Sequence, residues 1–247
     1  MSQLVKLLKN AGRATGRPTA GFGARSQEAP RRRLVLIAAL DGPDIDAARA
    51  AIEAGADVVE IPVRADAGDK DLVAVGELIA ELPVPVGVAV PGSVPAGFDA
   101  RALEGKGLDY LKVEAGDVPA TVFLAEGLAV VLEVKESFSD VMLKMLNFLP
   151  AKAIQVDSPD TVEGFTVKRL MEERVSRELI GKPLLMRIGA SIKPAAAQLL
   201  TLVAPNALVV PAAEVGPWKR AIADLKDFEE EESETGPISL KAPVSAT

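Results

Sequence analysis

The chain contains no cysteine and no histidine. Without cysteine there can be no disulfide, thiolate nucleophile, iron–sulfur cluster or cysteine-ligated zinc. Without histidine there is no imidazole base and no imidazole-bound metal, so acid–base chemistry falls to Lys, Glu, Asp or the single Tyr110. Aromatic residues make up only 4% of the 247 residues, so a core must be filled by Val, Leu, Ile and Ala, as in a parallel sheet packed under helices. No apolar run approaches the roughly 18 residues that span a bilayer, and no signal-peptide core precedes a small-residue cleavage site. The expectation is a soluble, cytoplasmic protein with no membrane partner.

Charge is unevenly spread. Residues 1–33 hold eight Lys/Arg against Glu28 alone, which makes that segment +7 and the remainder −14. From Asp224 to Glu234 there are seven acids and one base, Lys226. An acidic body of this kind is a poor nucleic-acid ligand, so no nucleic-acid partner is expected. Residues 1–33 begin with Leu4, Val5, Leu7 and Leu8, enough for a short amphipathic helix of one or two turns, and continue through Gly12, Gly16, Pro18, Gly21 and Gly23. They read as a basic arm packed across the rest. A transit peptide or a patch for an acidic partner are the alternatives that the composition leaves open. Residues 229–247 read as a disordered acidic tail.

Between these ends, residues 34–228 are regular. Apolar runs with strand character begin near Leu34, Val58, Val84, Tyr110, Ala129, Ala153, Leu184 and Ala207, each followed by a helix-like segment, at spacings of roughly 20 to 31 residues. Asp44 is placed to cap a helix from Ile45 to Ala54 that Gly55 stops. Ser158-Pro159-Asp160-Thr161 is placed to open one that runs to about Leu179, and Ser191 to cap one entered through Lys193-Pro194. A last helix is expected over about Gly216 to Phe228. Pro85 and Gly87 fall inside the third strand, which is therefore expected to be short or irregular. The segment after the fourth strand, Pro119 to Ala125, has room for barely two helical turns. Eight βα units with short links make this an α/β protein, a single (β/α)8 barrel. An open doubly wound sheet is less well supported, because Asp41-Gly42-Pro43-Asp44 after the first strand is no phosphate-binding glycine loop.

Strand side chains alternate, so residues of one parity share a face. If Leu111 and Val113 pack against helices, Lys112 and Glu114 point into the barrel. The same parity turns inward Glu60, Glu133 and Lys135, Gln155 and Asp157, and Arg187. All lie toward the carboxyl ends of their strands, the face where barrel enzymes place their chemistry. Four carboxylates, Glu60, Glu114, Glu133 and Asp157, would surround three cations, Lys112, Lys135 and Arg187. A self-compensating ion network is the structural reading, since buried charges must be paired whatever they do. The functional reading is an amine nucleophile: a partly desolvated Lys with a lowered pKa, Lys135 or Lys112, forms a Schiff base while Glu133, Glu114, Asp157 or Glu60 moves the proton. Needing no cofactor, such a site would act as an aldolase-like lyase on a small anionic carbonyl metabolite. Arg187, Gly189 and Ser191 would hold the substrate anion at the start of a helix. A Mg2+ ion between Glu133 and Asp157 is the alternative chemistry, and a non-catalytic binding or assembly barrel the alternative class. A homo-oligomer fits any of these.

The segment Gly55-Ala56-Asp57-Val58-Val59-Glu60-Ile61 resembles the second strand of tryptophan synthase alpha subunits, hexulose-phosphate synthases and type I dehydroquinases, all TIM barrels. The resemblance implies that Glu60 occupies a position that can be catalytic. The chain departs from each family elsewhere. Strand three reads Val86-Gly87-Val88-Ala89-Val90-Pro91 in place of an Asp-x-Lys-x-x-Asp signature, the dehydroquinase histidine is missing, and the paired phosphate loops are degraded. The likeness is therefore to the superfamily.

Overall fold

Eight apolar segments form strands in the computed structural model, which describes residues 2–13, 34–65, 69–92, 94–95, 97–116, 118–135, 138–158, 166–189 and 191–225. The strands are β1 (Val35–Ala39), β2 (Val58–Pro62), β3 (Val86–Val90), β4 (Tyr110–Glu114), β5 (Ala129–Val134), β6 (Ala153–Asp157), β7 (Leu184–Arg187) and β8 (Ala207–Pro211). Each pairs in parallel with the next, and β8 pairs with β1 from Val35↔Ala207 to Ala39↔Pro211, so the sheet closes and leaves no edge. Among the described residues seven α-helices accompany them: α1 (Gln3–Arg13), α2 (Ile45–Glu53), α3 (Asp69–Glu81), α4 (Asp140–Met145), α5 (Val167–Leu179), α6 (Ala197–Val203) and α7 (Val215–Ala223). The links after β3 and β4 are 3-10 turns, Ala100–Leu103 and Ala120–Leu124, the second where a short helix is expected.

Alternation along the strands divides the apolar residues into two cores. Leu111, Val113, Leu132, Ile154 and Met186 belong to the layer between strands and helices. Tyr110, Val131, Ala153, Leu185 and Val209 fill the barrel interior. The inner core is completed by α1, whose Leu4, Val5, Leu8 and Ala11 are buried against it. Helix α1 is thus longer than the one or two turns expected, and it plugs the end of the barrel where the strands begin. Each large apolar side chain so buried stabilises by about 1.5–3 kcal/mol relative to exposure. Asp109, just before β4, fixes the start of the plug: it accepts from Ser2 Oγ at 2.7 Å and from the backbone N–H groups of Gln3 and Leu4 at 2.6 and 2.8 Å. A carboxylate there satisfies orphan donors and faces the positive end of the helix dipole.

Local signals hold in part. Asp44 caps α2 through Asp46 and Ala47 N–H, and Gly55 follows at φ +107°, a conformation that favours glycine. Helix α5 is capped by Thr166; residues 159–165, where an earlier opening is expected, lie outside the described residues. Ser191 is not the cap: the turn leading into α6 starts from Lys193 with no side-chain cap bond. Helix α7 ends at Ala223, short of Phe228, which with the acidic tail and residues 14–33 lies outside the described residues.

Strand β3 is neither short nor irregular. Pro85 precedes its first residue, so the missing N–H costs no ladder bond, and Pro85 O accepts from Val59 N. Gly87 is required by packing: a Cβ there would sit 2.1 Å from the ring of Tyr110. The glycine marks a close approach.

Candidate active site

Glycine and alanine on β3 determine what meets inside the barrel. In register, Glu60 on β2 lies beside Gly87, and Ala89 lies beside Lys112 on β4. Both inward residues of β3 are small, so side chains from β2 and β4, which are not neighbours, meet across it. Lys112 Nζ lies 2.7 Å from Glu60 Oε1 and 3.5 Å from Glu133 Oε2. It also lies 3.4 Å from Gln155 Oε1, while Gln155 Nε2 donates to Glu133 Oε2 at 3.4 Å and Tyr110 OH donates to Glu60 Oε2 at 3.1 Å. Glu60, Lys112 and Gln155 are buried; Glu133 is partly open.

A second tier lies at the ends of the strands. Glu114 stands opposite Glu133 in the ladder, a like-charge pair that is unfavourable by itself. Lys112 below and Lys135 above offset it. Lys135 Nζ lies 3.2 Å from Glu114 Oε2, with half of the lysine side chain exposed. Asp157 lies opposite Arg187 in register, and its Oδ1 is buried without a hydrogen-bond partner. Arg187 is exposed and has no ion-pair partner among the described residues. Gly189 donates its N–H to Ser158 Oγ at 2.9 Å, so that donor is already engaged, and Ser191 is exposed.

The expected residues therefore divide. Glu60, Lys112 and the partly open Glu133 form one cluster, Glu114 and Lys135 form a pair above it, and Asp157 and Arg187 stand opposite one another at the ends of β6 and β7. Two members were missing from the expected site. Parity already turned Gln155 inward without giving it a role, and Tyr110 shares the parity of Lys112, which is the signal that places it inside. Lys135 also departs from expectation in its acidity. The hydrogen bond and charge of Glu114 raise the pKa of Lys135, with Glu133 and Asp157 adding to the effect. This is the opposite of the depression expected of a Schiff-base lysine, because its neighbours are anions and water reaches it. Burial, and then the charge and hydrogen bond of Glu60, push the Tyr110 phenol well above its ordinary value, so Tyr110 is a neutral donor at physiological pH. Among the described residues no group of three or more carboxylates could hold a metal ion, and no helix is long and apolar enough to cross a membrane.

Neither a protein-family model nor a curated protein matches the chain. Solved structures do. It is similar to a tryptophan synthase alpha-subunit mutant from Pyrococcus furiosus, at 15% identity and TM-score 0.59 over 78% of this chain and 97% of that one. It is similar to KGPDC from Streptococcus mutans, at 14% identity and TM-score 0.59 over 78% and 99%. It is also similar to phosphoribosyl anthranilate isomerase from Thermotoga maritima, at 15% identity and TM-score 0.56 over 78% and 100%. At such identities the likeness shows the eight-stranded parallel barrel and nothing narrower.

Proposed function

We propose that the chain is an aldolase-like lyase acting on a small anionic carbonyl compound, with Lys112 as the amine nucleophile. The observation that carries this reading is the placement of Lys112 Nζ, at mid-strand in β4, between two carboxylates, 2.7 Å from Glu60 and 3.5 Å from Glu133, with Glu133 partly open beside it. A lysine so held is oriented and has a carboxylate within reach for its proton. Lys135 and Arg187 at the rim suit the substrate's anionic group.

In this reading Glu133, the more open carboxylate, takes a proton from Lys112. The free amine adds to the substrate carbonyl, and loss of water gives a protonated imine. The carbon–carbon or carbon–oxygen bond beyond the adjacent carbon then breaks. For a carbon–carbon bond, a carboxylate takes the hydroxyl proton from the departing carbon and the bonding electrons flow into the imine. For a carbon–oxygen bond, a carboxylate first removes a proton from the adjacent carbon and the leaving oxygen departs with its bonding pair. Protonation where needed and hydrolysis release the remaining product and restore Lys112. Glu60 and Tyr110 hold the lysine in place throughout.

The test is borohydride reduction in the presence of small aldehydes and keto acids, followed by peptide mass analysis. A reduced adduct on Lys112 that disappears in Lys112→Arg supports the mechanism, and labelling confined to surface lysines rejects it. One observation favours a second reading, a non-catalytic barrel: Lys112 already has three acceptors within 3.5 Å and is buried, as a purely structural ion cluster requires. On that reading Lys112 and Glu60 affect only folding, and no carbonyl compound is trapped.

A further inference from the structure

The ring of helices is uneven in what it shows to water. Among the described residues, eight of the eleven exposed large apolar side chains lie on α4, α5 and the turn that follows α4. The other three, Val73, Leu124 and Leu202, belong to three different elements. Isolated exposed apolar residues are ordinary, but a concentration on two adjacent elements is not.

Helix α4 and its following turn bury Leu143 and Leu146 against the barrel, yet expose Val141, Met142, Met145 and Phe148, the last 81% exposed. Apart from the exposed Asp140 and Lys144, the element is apolar outward as well as inward, more than a helix covered on one side only requires. Helix α5 packs beside α4, and Asn147 ties the two, donating to Leu179 O at 2.9 Å and accepting from Gly181 N at 2.8 Å. On α5, Val167, Met171 and Val175 recur every fourth residue as one stripe, 75%, 64% and 46% exposed, while Glu173 is buried and paired with Arg169 at 2.7 Å.

We propose that the outer face of α4 and α5 is a two-fold docking surface for a second copy of this chain. Two observations select that occupant. The first is area. Taking roughly 150 Å², the low end of the range for an aromatic side chain, as an upper figure for each of these residues with its exposed fraction, the face offers up to roughly 700 Å². That is about one partner's share of a stable protein interface, and more than the roughly 300–600 Å² of a monomer's largest patch. The second is charge. The ions flanking the stripe on α5 pair within that helix, Lys168 with Glu172 at 3.7 Å and Arg174 with Glu178 at 3.0 Å, and α4 adds one charge of each sign, Asp140 and Lys144, so the face is balanced and asks for no oppositely charged partner. A two-fold axis near Met171 sets Val167 of one copy against Val175 of the other, apolar on apolar, as a self-complementary contact requires. The face lies on the flank of the barrel, and the ends of β4 and β5 that carry Glu114 and Lys135 are not part of it.

Sedimentation velocity of the full chain at tens of micromolar tests this. The expected species has twice the 25.8 kDa chain mass. The double variant Phe148→Lys with Met171→Lys is expected to weaken association by roughly a hundredfold or more and leave a folded monomer of unchanged circular dichroism. Val73→Lys, on another helix, should stay dimeric. A wild-type monomer across the range overturns the proposal. In that case, slow peroxide oxidation of Met142 and Met171 points to another segment of the chain covering the face, and fast oxidation to a different partner. A dimer that survives the double variant, or that Val73→Lys breaks equally, overturns it as well.

Discussion

Replacing Lys112 by Met removes the cation between Glu60 and Glu133 while keeping a side chain of similar length. The side chains of Lys112 and Glu60 are only 6% and 4% exposed, so the remaining carboxylates cannot be rehydrated in place. Breaking a buried pair from one side costs about 3–5 kcal/mol. For a domain of this size, about 2–4 °C per kcal/mol puts the fall in melting temperature at roughly 6–20 °C. Removing both charges together, Lys112→Met with Glu60→Gln, leaves a neutral amide that still accepts from Tyr110, and is expected to recover at least half of the loss. Urea unfolding followed by the fluorescence of Trp218, the single tryptophan and a buried one, gives the four corners of the cycle. If Lys112→Met costs less than about 1 kcal/mol, the value of an exposed ion pair, or if the Glu60→Gln effect is the same with and without Lys112, the two residues are not coupled inside a closed barrel and the reasoning fails.

Three further outcomes follow from the same contacts. Gly87→Ala places a methyl 2.1 Å from the Tyr110 ring and is expected to destabilise by about 1–3 kcal/mol or more, with Tyr110→Leu in the same chain relieving part of it in a thermal melt. The Tyr110 phenol is held neutral in the fold well above its ordinary value of 10.0, whereas the unfolded phenol ionises near that value. Its contribution is therefore complete below pH 10 and is lost as pH rises further, so the urea midpoint should fall above pH 10, and fall less steeply in Tyr110→Phe. Asp109→Ala leaves three donors at the start of α1 unserved and should cost about 0.5–2 kcal/mol, read as faster amide exchange over residues 4–13 with little change in the strands.

The alternation of β4 and β5 was readable residue by residue, because a strand buried on both faces shows its parity wherever a charge interrupts it: Lys112 and Glu114 against Leu111 and Val113, Glu133 against Leu132 and Val134. What could not be read was which inward charges meet. Glu60 and Lys112 are 52 residues apart and on strands that are not neighbours, and their contact depends on the small residues of the strand between. The same Gly87 that argued for a weak strand is the one the Tyr110 ring demands. For Lys135 the number of charged neighbours was legible, but not that the nearest is the Glu114 carboxylate and that half of the side chain lies in water.

Composition and periodicity alone determined the eight βα units, the inward parity of the charged residues, and the exclusion of thiol and imidazole chemistry, because these depend only on residue identity and spacing along the chain. The tertiary structure decided the rest: that α1 plugs the barrel, that Lys112 rather than Lys135 lies in the buried cluster, and that α4 and α5 leave an apolar face outside. Each of these is a distance between segments remote in sequence, fixed by the shear of the closed sheet and by side-chain volume, and no local pattern encodes it.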